Sequence, residues 1–290
     1  MSDTVRVTDV PRLRPRAADS HKGTYGRVLA AAGSRGMSGA AVLCGSAALR
    51  GGAGLVTVAC PAAVQDVVAA GNPCYTTHGL PSDPDGRLAA GAADPLAELA
   101  REATAVAAGP GLGQKPAVRD AVVSLIRLAD KPLVLDADAL NVLDGRSPGL
   151  FQGRSAATVL TPHPGEFARL TGRPTDAVQK DREPLAVEFA RSHGVVLLLK
   201  GHHTIVTDGR RVYTNTTGNP GMATGGAGDV LTGLIAALAG QGLDGFAAAV
   251  LGAWAHGRAG DLAAAELGQA GLTAVDVLAH LPRALREVGG

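Results

Sequence analysis

The stretch Asn219-Pro-Gly-Met-Ala-Thr-Gly-Gly-Ala-Gly-Asp-Val230 leads into an apolar segment, residues 230–239, and carries four glycines and one carboxylate. Glycine permits tight turns and lets backbone N–H groups approach a ligand directly. The first turn of a helix adds unsatisfied N–H donors and the positive end of the helix dipole. The sequence therefore predicts a phosphate cradle at this helix start. Its members are Gly225, Gly226, Ala227 and Gly228.

Asp229 is the unusual residue of this turn, because a carboxylate beside a phosphate site repels the ligand. The repulsion is tolerable if the carboxylate takes a proton from a hydroxyl that attacks or carries a phosphoryl group. The simpler interpretation is that Asp229 caps the helix. The glycines packed before it favour the catalytic interpretation.

The composition argues against several classes of protein. A net charge of +1 without a basic stripe does not fit a broad nucleic-acid surface. Three cysteines without a CxxC pair fit neither a disulfide framework nor a zinc site, and are typical of a reduced compartment. The first twenty residues are charged, and the most apolar region, 230–254, is interrupted by polar residues. We expect a soluble cytoplasmic protein that binds neither nucleic acid nor a membrane.

Short apolar runs alternate with helix-length segments along the whole chain, which is typical of an α/β protein. The pattern predicts one domain over residues 1–290, with a mostly parallel central sheet, helices on both faces and residues 1–20 as an N-terminal arm. Residues 73–95, rich in Pro, Gly and Asp, are expected to form the loosest loop. Strands are expected at 28–32, 55–59, 105–108, 133–135, 158–160, 195–199, 204–207 and 211–214, and helices at 38–50, 116–128, 230–239, 246–264 and 274–286.

Polar and glycine-rich clusters follow the carboxyl ends of the predicted strands, where open α/β sheets bind ligands. These clusters are Gly33-Ser-Arg-Gly36, Gly109-Pro-Gly-Leu-Gly113, Asp136-Ala-Asp138, Thr161-Pro-His-Pro-Gly-Glu166 and Lys200-Gly-His-His-Thr204. The second cluster, followed by Asp136 as a ribose-binding acid, partly matches a dinucleotide fingerprint. Gln114 and Pro110 weaken that match.

Single side chains in these clusters have a functional and a structural interpretation. His163 between two prolines is expected to be an exposed imidazole that contacts ligand. Glu166 is either a first-turn helix acid or an indirect holder of phosphate-bound magnesium through water. Lys200, at the end of a buried strand, needs an anion such as nucleotide phosphate, or solvent.

Two further features remain open in the same way. The adjacent His202 and His203 are expected to point differently and not to form a metal pair. Ser38-Gly-Ala-Ala41 is either a second anion cradle or a plain helix start capped by Ser38.

Taken together, the motifs resemble the ADP-dependent NAD(P)H-hydrate dehydratase family, a branch of the ribokinase-like fold. The resemblance includes His21-Lys-Gly-Thr-Tyr-Gly26 and Leu135-Asp-Ala-Asp-Ala-Leu-Asn141, and it runs from about residue 20 to 260. The Gly-Asp turn alone indicates only a ribokinase-like protein. The SGAA helix start and the TPHPGE loop are far more specific.

The resemblance implies a hydro-lyase that repairs a damaged cofactor. Water is removed from the S epimer of NADHX or NADPHX by phosphorylation of the ring hydroxyl and elimination, while ADP is converted to AMP and phosphate. It implies Asp229 as the general base, magnesium as cofactor, ADP (or ATP) as co-substrate, and a homotetramer. The implied hydrate contacts are Ala40, Gly111, His163 and Asp229; the implied nucleotide contacts are Lys200, Gly201, His202, His203, Thr204 and Gly228.

The sequence departs from the family pattern at two places. Ala227 stands where relatives often carry Thr or Ser, so one hydroxyl donor to phosphate is missing and we expect weakened activity. The epimerase domain fused to many relatives is expected to be a separate protein here, because only about twenty residues precede the first motif.

Three other functions compete with this interpretation. A ribokinase-like kinase for a vitamin-precursor alcohol, of the hydroxymethylpyrimidine or thiazole type, would need Asp229 but neither SGAA nor TPHPGE. A nucleotide sensor without activity would not need Asp229. An NAD-dependent dehydrogenase is disfavoured by Gln114.

Overall fold

The computed structural model describes residues 4–128, 130–143 and 148–289. Ten strands form one sheet in the order β1-β10-β9-β8-β7-β6-β5-β2-β3-β4, and within it only β9 runs antiparallel to its neighbours. The strands are β1 (Val5–Val7), β2 (Arg27–Ala31), β3 (Leu55–Pro61), β4 (Thr76–Leu80), β5 (Ala105–Ala108), β6 (Leu133–Leu135), β7 (Thr158–Leu160), β8 (Val196–Leu199), β9 (Ile205–Thr207) and β10 (Arg211–Thr214).

Helices cover both faces of the sheet, as predicted. They are α1 (Ser38–Arg50), α2 (Gln65–Gly71), α3 (Ala93–Glu102), α4 (Pro116–Arg127), α5 (Asp138–Asn141), α6 (Pro164–Thr171), α7 (Thr175–Lys180), α8 (Arg182–His193), α9 (Ala227–Gly240), α10 (Gly245–Leu267) and α11 (Ala274–Arg286). One core packs α1, α9, α10 and α11 on one face, and a second packs α3, α4, α6 and α8 on the other. Small aliphatic side chains fill both, in keeping with an aromatic content of 3%. No helix in the described part of the chain is long and apolar enough to cross a membrane.

The chain reverses its direction of growth between β2 and β5, and this sets the position of the site. From β2 it builds outward through β3 to β4, returns to β5 on the other side of β2, and continues to β6, β7 and β8. The Cα of Leu29 therefore pairs with Thr57 on one side and Val106 on the other. Such a switch point opens a crevice at the carboxyl edge of the sheet, where ligands bind.

Two expected irregular regions contain strands. The N-terminal arm includes β1, which pairs with β10, and the 73–95 loop contains β4 and ends in the first residues of α3. Both strands lie at the edges of the sheet, and apart from the buried Leu80 their residues are polar or at least partly exposed, as with Val5 at 62%. The sequence showed no apolar run there because an edge strand buries little of its surface.

Candidate functional site

The first turn of α9 lies against α1 at the carboxyl edge of the sheet. Gly226 is the N-cap of α9 with φ 89°, and no side chain caps this helix end. Asp229 is the third residue of the helix and accepts no capping bond, so the interpretation of Asp229 as a cap is wrong. A side chain at Gly226 would begin 2.5 Å from a methyl carbon of Leu43, which explains the glycine. The helix start therefore presents its N–H groups bare, as the phosphate cradle requires.

Asp229 is poised to accept a proton near neutral pH. The pKa of its carboxyl is raised to about 6, mainly by burial and also by the negative charges of Asp136 and Asp138, with the positive charge of Lys200 acting the other way. A carboxyl with a pKa in this range is a better general base at neutral pH than an ordinary surface aspartate.

Asp136 ties three elements together beneath the turn. It ends β6, is 1% exposed, and its Oδ1 accepts a 2.6 Å hydrogen bond from Lys200 Nζ. Its Oδ2 accepts a 2.7 Å bond from the hydroxyl of Thr232, which also lies 3.0 Å from the carbonyl oxygen of Gly228. Asp136 is thus nearly fully buried, and each of its oxygens binds a protein group, which disfavours its interpretation as a ribose-binding acid.

Lys200 pairs with a carboxylate of the protein itself. The sequence predicted a ligand anion, such as nucleotide phosphate, or solvent in that place. The Lys200 side chain keeps 21% of its surface in solvent and is ion-paired with Asp136. A Cβ on Gly228 would lie 3.1 Å from Lys200 Nζ and 3.5 Å from Asp136 Oδ2. The ammonium group therefore faces the phosphate cradle, and the absence of a side chain at Gly228 keeps the space between them open.

This geometry predicts that alanine at Gly228 impairs nucleotide binding. Gly228→Ala is expected to raise the KM for nucleotide by about tenfold, since a displaced Lys200 loses a charge-assisted contact worth roughly 1.5 kcal/mol. Gly271→Ala, before α11 and outside the cradle, is the control, because a Cβ there would also meet nothing within 4 Å. Steady-state kinetics with varied ADP measures both, and equal KM values for the two variants would contradict the proposed contact.

The loop Lys200-Gly-His-His-Thr204 is held from below by Arg182 at the start of α8. The guanidinium donates to the carbonyl oxygens of Leu199 and Lys200 at 3.1 and 3.2 Å, and it packs under Gly201, whose φ is 131°. The sequence predicted that His202 and His203 point in different directions. Instead, their rings lie together, with centroids 3.9 Å apart. The reason is the left-handed φ of 53° at His203, which breaks the alternation of an extended chain.

His163 is exposed as predicted, with 52% of its side chain in solvent, but it also has a structural task. Its Nδ1 accepts bonds from the backbone N–H groups of Gly165 and Glu166 at 3.0 and 3.3 Å, so it caps α6. Glu166 returns the bond from its Oε2 to the His163 N–H at 2.8 Å. Glu166 is thus a first-turn helix acid, buried to 5% exposure. Its role toward magnesium stays a prediction.

The loops after β2 and β5 pack against each other at the switch point. Gly33 N–H donates to the carbonyl of Pro110 at 2.8 Å, and the Ser34 hydroxyl donates to the carbonyl of Gly111 at 2.7 Å. A Cβ on Gly111 would lie 3.0 Å from that of Ala40, so the structure brings these two predicted contacts together.

The start of α1 differs from the expectation. Met37 is its N-cap and makes no side-chain cap bond, so Ser38 is not the cap.

His256, in α10, is a residue that sequence reasoning missed. Its Nε2 is a buried atom without a hydrogen-bond partner, and no other side-chain nitrogen or oxygen in the described ranges shares that condition. The pKa of His256 is lowered to about 4, mainly by burial and also by the charge of Lys200, while a backbone hydrogen bond to Ala227 acts the other way. A neutral imidazole therefore packs behind the first turn of α9. Its sequence signal, a lone histidine in an apolar helix, is that of an ordinary core residue.

The carboxylates of the site suit a magnesium ion that is bound mainly by its substrate. Within residues 4–128, 130–143 and 148–289, no group of three or more His, Cys, Asp or Glu side chains is arranged to hold a metal. Magnesium is usually held by one or two carboxylates together with phosphate oxygens and water, so a complete protein cage is not required. The carboxylates that could contribute, directly or through water, are Asp138, whose charge acts on Asp229, and Glu166, in the first turn of α6 after the neighbouring strand β7.

Comparisons with known proteins agree with this geometry. The chain is 50% identical over 279 residues to the bifunctional NAD(P)H-hydrate repair enzyme Nnr of Moorella thermoacetica, covering 96% of this chain and 52% of that one. It is 40% identical over 270 residues to the ADP-dependent (S)-NAD(P)H-hydrate dehydratase of Neisseria meningitidis serogroup B, covering 91% of this chain and 86% of that one. The chain spans about half the length of the bifunctional relatives it matches.

A solved structure and a family model extend the likeness. The ADP/ATP-dependent NAD(P)H-hydrate dehydratase of Bacillus subtilis, co-crystallised with ATP/Mg2+, superposes with a TM-score of 0.84 at 35% identity, covering 96% of this chain and 95% of that one. The sequence model described as NAD(P)H-hydrate dehydratase matches residues 28–283. With its ribokinase-like architecture and its Gly-Asp turn, this chain belongs to the NAD(P)H-hydrate dehydratase family.

Proposed function

We propose that this chain is a hydro-lyase that dehydrates the S epimer of NAD(P)H hydrate to NAD(P)H, with ADP converted to AMP and phosphate. The observation that carries the proposal is the buried Asp229, whose pKa is raised to about 6, in the first turn of a helix that begins with a bare glycine cradle. A base and an anion site in one turn suit the transfer of a phosphoryl group to a hydroxyl.

The chemistry divides into a transfer and an elimination. Asp229 takes the proton of the ring hydroxyl as its oxygen attacks the terminal phosphorus of ADP, and the bond to the bridging oxygen breaks to release AMP. The new phosphate ester then leaves as inorganic phosphate by cleavage of the C–O bond, while the neighbouring carbon loses a proton and the ring double bond is restored. No electrons are gained or lost, so no oxidant or reductant is needed.

The surrounding residues bind and orient the reactants. The N–H groups of residues 226–228 and the Lys200 ammonium stabilise the transferred phosphoryl group. The loop from Lys200 to Thr204 holds the nucleotide, beside a groove of about 460 Å³ that His202, His203 and Arg182 help to line. Asp138 or Glu166 would hold magnesium together with nucleotide oxygens, and the ion would supply positive charge against the phosphates. Ala40, Gly111 and His163 contact the hydrate.

The relatives support the substrate and suggest the wider setting. Two of them are named for NAD(P)H-hydrate repair and for ADP-dependent (S)-NAD(P)H-hydrate dehydration. An enzyme specific for one epimer leaves the other untouched, so we propose that a separate epimerase activity supplies the S form. We also propose a cytoplasmic homotetramer.

The decisive experiment is incubation with NADHX and magnesium plus ADP or ATP. We expect release of phosphate and, in equal amount, the return of the absorbance of reduced nicotinamide. A kinase for a vitamin-precursor alcohol would instead leave a stable phosphorylated product, and a dehydrogenase would show no dependence on ADP. Absence of nucleotide-dependent dehydration would refute the proposal.

The raised pKa of Asp229 sets a pH dependence. The base is active when ionised, so kcat/KM is expected to fall about tenfold per pH unit below about 6 and to level off above it. A nucleotide phosphate also ionises near pH 6. The pH profile is therefore also measured for Asp136→Asn. This change removes one repelling negative charge from Asp229 and frees Lys200, so the pKa of Asp229 falls. The acidic limb of the kcat/KM profile should then move to lower pH, although the nucleotide is the same. An unshifted limb would assign it to the phosphate instead.

A further inference from the structure

We propose that Arg35 and Arg87 form a subsite for the diphosphate of the dinucleotide substrate; this inference rests on the proposed function. The two arginines come from the loops after β2 and β4, and they flank the glycine turn after β5 that carries Gly111. The segment that holds Arg87 lies within residues 73–95, for which the sequence suggested no task.

A short tight hairpin, residues 82–88, fixes the position of Arg87. Ser82 and Leu88 form an antiparallel bridge, and Asp83 N–H donates to the Arg87 carbonyl at 2.8 Å. The Asp83 carboxylate in turn accepts the Arg87 N–H at 3.0 Å. Arg87 therefore lies on a turn that these hydrogen bonds stabilise. Its Nη1 atom would be 3.5 Å from a Cβ on Gly113.

The same hairpin fixes Arg35. Arg35 N–H donates to the carbonyl of Gly86 at 2.9 Å, and the Arg35 side chain lies across Gly86, whose missing Cβ would fall 2.8 Å from its Cβ. Gly86 has φ 70°, so both its backbone and the space above it require glycine. Both arginines thus rest on one rigid support.

Charge pairing leaves these two guanidinium groups available. Lys115 Nζ binds both Asp83 and Asp85, at 2.6 and 2.9 Å, so these two acids of the hairpin pair with the lysine and offset one unit of their combined charge. In the part of the chain that the structure describes, neither Arg35 nor Arg87 takes part in an ion pair, and both are exposed. Arginine binds phosphate oxygens through a planar fork of donors, so the pair suits a diphosphate.

The placement of the pair matches a dinucleotide that reacts at Asp229. Asp229 lies close to Cys44. Burial of the Cys44 thiol is the main cause of its raised pKa, and the negative charge of Asp229 is the next. Ala40 lies one turn earlier on α1, about 5.4 Å along the axis, and touches Gly111. Ser34, next to Arg35, binds Gly111 from the far side. A nicotinamide ring at Ala40 and Gly111 would therefore direct the rest of the molecule toward Arg35 and Arg87.

The nucleotide loop lies in the other direction. Lys200 follows β8, and four strand spacings separate β8 from β2, roughly 19 Å at 4.8 Å each. The phosphoryl donor and the substrate diphosphate thus approach Asp229 from opposite sides and do not compete for the same cations.

The test compares Arg35→Gln, Arg87→Gln and the double variant with Arg119→Gln, which removes an exposed arginine from the first turn of α4 rather than from the hairpin or the loop after β2. Each single variant is expected to raise the KM for NADHX about tenfold while kcat and the KM for ADP stay unchanged. Raising the salt concentration should raise the wild-type KM more than that of the double variant. Unchanged KM for NADHX in the double variant would overturn the subsite.

A binding measurement separates this inference from the proposed function. If the wild-type chain dehydrates nothing, the proposed function fails, and calorimetric titration with NADH then judges the subsite. Weaker NADH binding in both arginine variants, with Arg119→Gln unchanged, supports it. Equal affinity in all variants overturns it.

Discussion

Asp229→Asn is expected to lower kcat for ADP-dependent dehydration by a factor of about 10²–10⁴, the usual contribution of a positioned general base. Asparagine keeps the shape of the side chain and the helix start, but it cannot take the proton of the ring hydroxyl. The burial that raises the pKa of Asp229 also means that no water molecule readily replaces it as base. The effect should fall on kcat, with the KM for ADP nearly unchanged or lowered, because a repelling charge is removed from the cradle.

The control is an exposed carboxylate in the first turn of another helix, outside the site. Asp94 occupies the first turn of α3 and is exposed, so Asp94→Asn should leave kcat unchanged. Single-turnover measurements of phosphate release distinguish a lost chemical step from slow product release. If Asp229→Asn turned over at the wild-type rate while still binding ADP, another residue would have to be the base.

Asp136→Asn is expected to lower the free energy of unfolding by about 2–3 kcal/mol. Removing one member of a buried ion pair leaves the other uncompensated, which typically costs roughly 3–5 kcal/mol; the 21% exposure of the Lys200 side chain reduces that figure. Denaturant titration measures the change as a shift in midpoint at constant slope. The exposed pair of Arg258 and Glu287 supplies the control, since Glu287→Gln should cost less than about 1 kcal/mol.

A double-mutant cycle tests whether the loss comes from the pair itself. Lys200→Met removes the uncompensated cation, so the combination with Asp136→Asn should be less destabilising than the sum of the single changes. Strict additivity would show that the stabilisation comes from Asp136 and Thr232 alone.

Much of the fold could be read from local patterns. Buried strands such as β5 and β8 are continuous apolar runs, and their bounds agree with the prediction to within a residue. The edge strands β1 and β4 could not be found this way, because they bury little surface. The site residues could also be located from the sequence, because ligands bind at the carboxyl edge of a parallel sheet and the polar clusters follow the ends of the predicted strands.

The partners within the site were beyond local reasoning. Lys200 and Asp136 lie 64 positions apart, and Thr232 lies 96 positions from Asp136. Nothing in the sequence says that the ammonium pairs with this carboxylate rather than with a ligand phosphate. The pairing depends on β6 and β8 standing two strands apart in the sheet, with α9 packed across them.

The sequence by itself determined the α/β architecture, the glycine cradle and the presence of a carboxylate in the turn that follows it, because each depends on local periodicity or backbone conformation. Only the tertiary structure decided that Asp229 is a buried carboxyl with a raised pKa, since that value depends on burial and on charges from distant strands. It also decided that Lys200 is held by Asp136, and that Arg35 and Arg87 share one support. Electrostatic energies depend on distances in space, and sequence separation does not supply them.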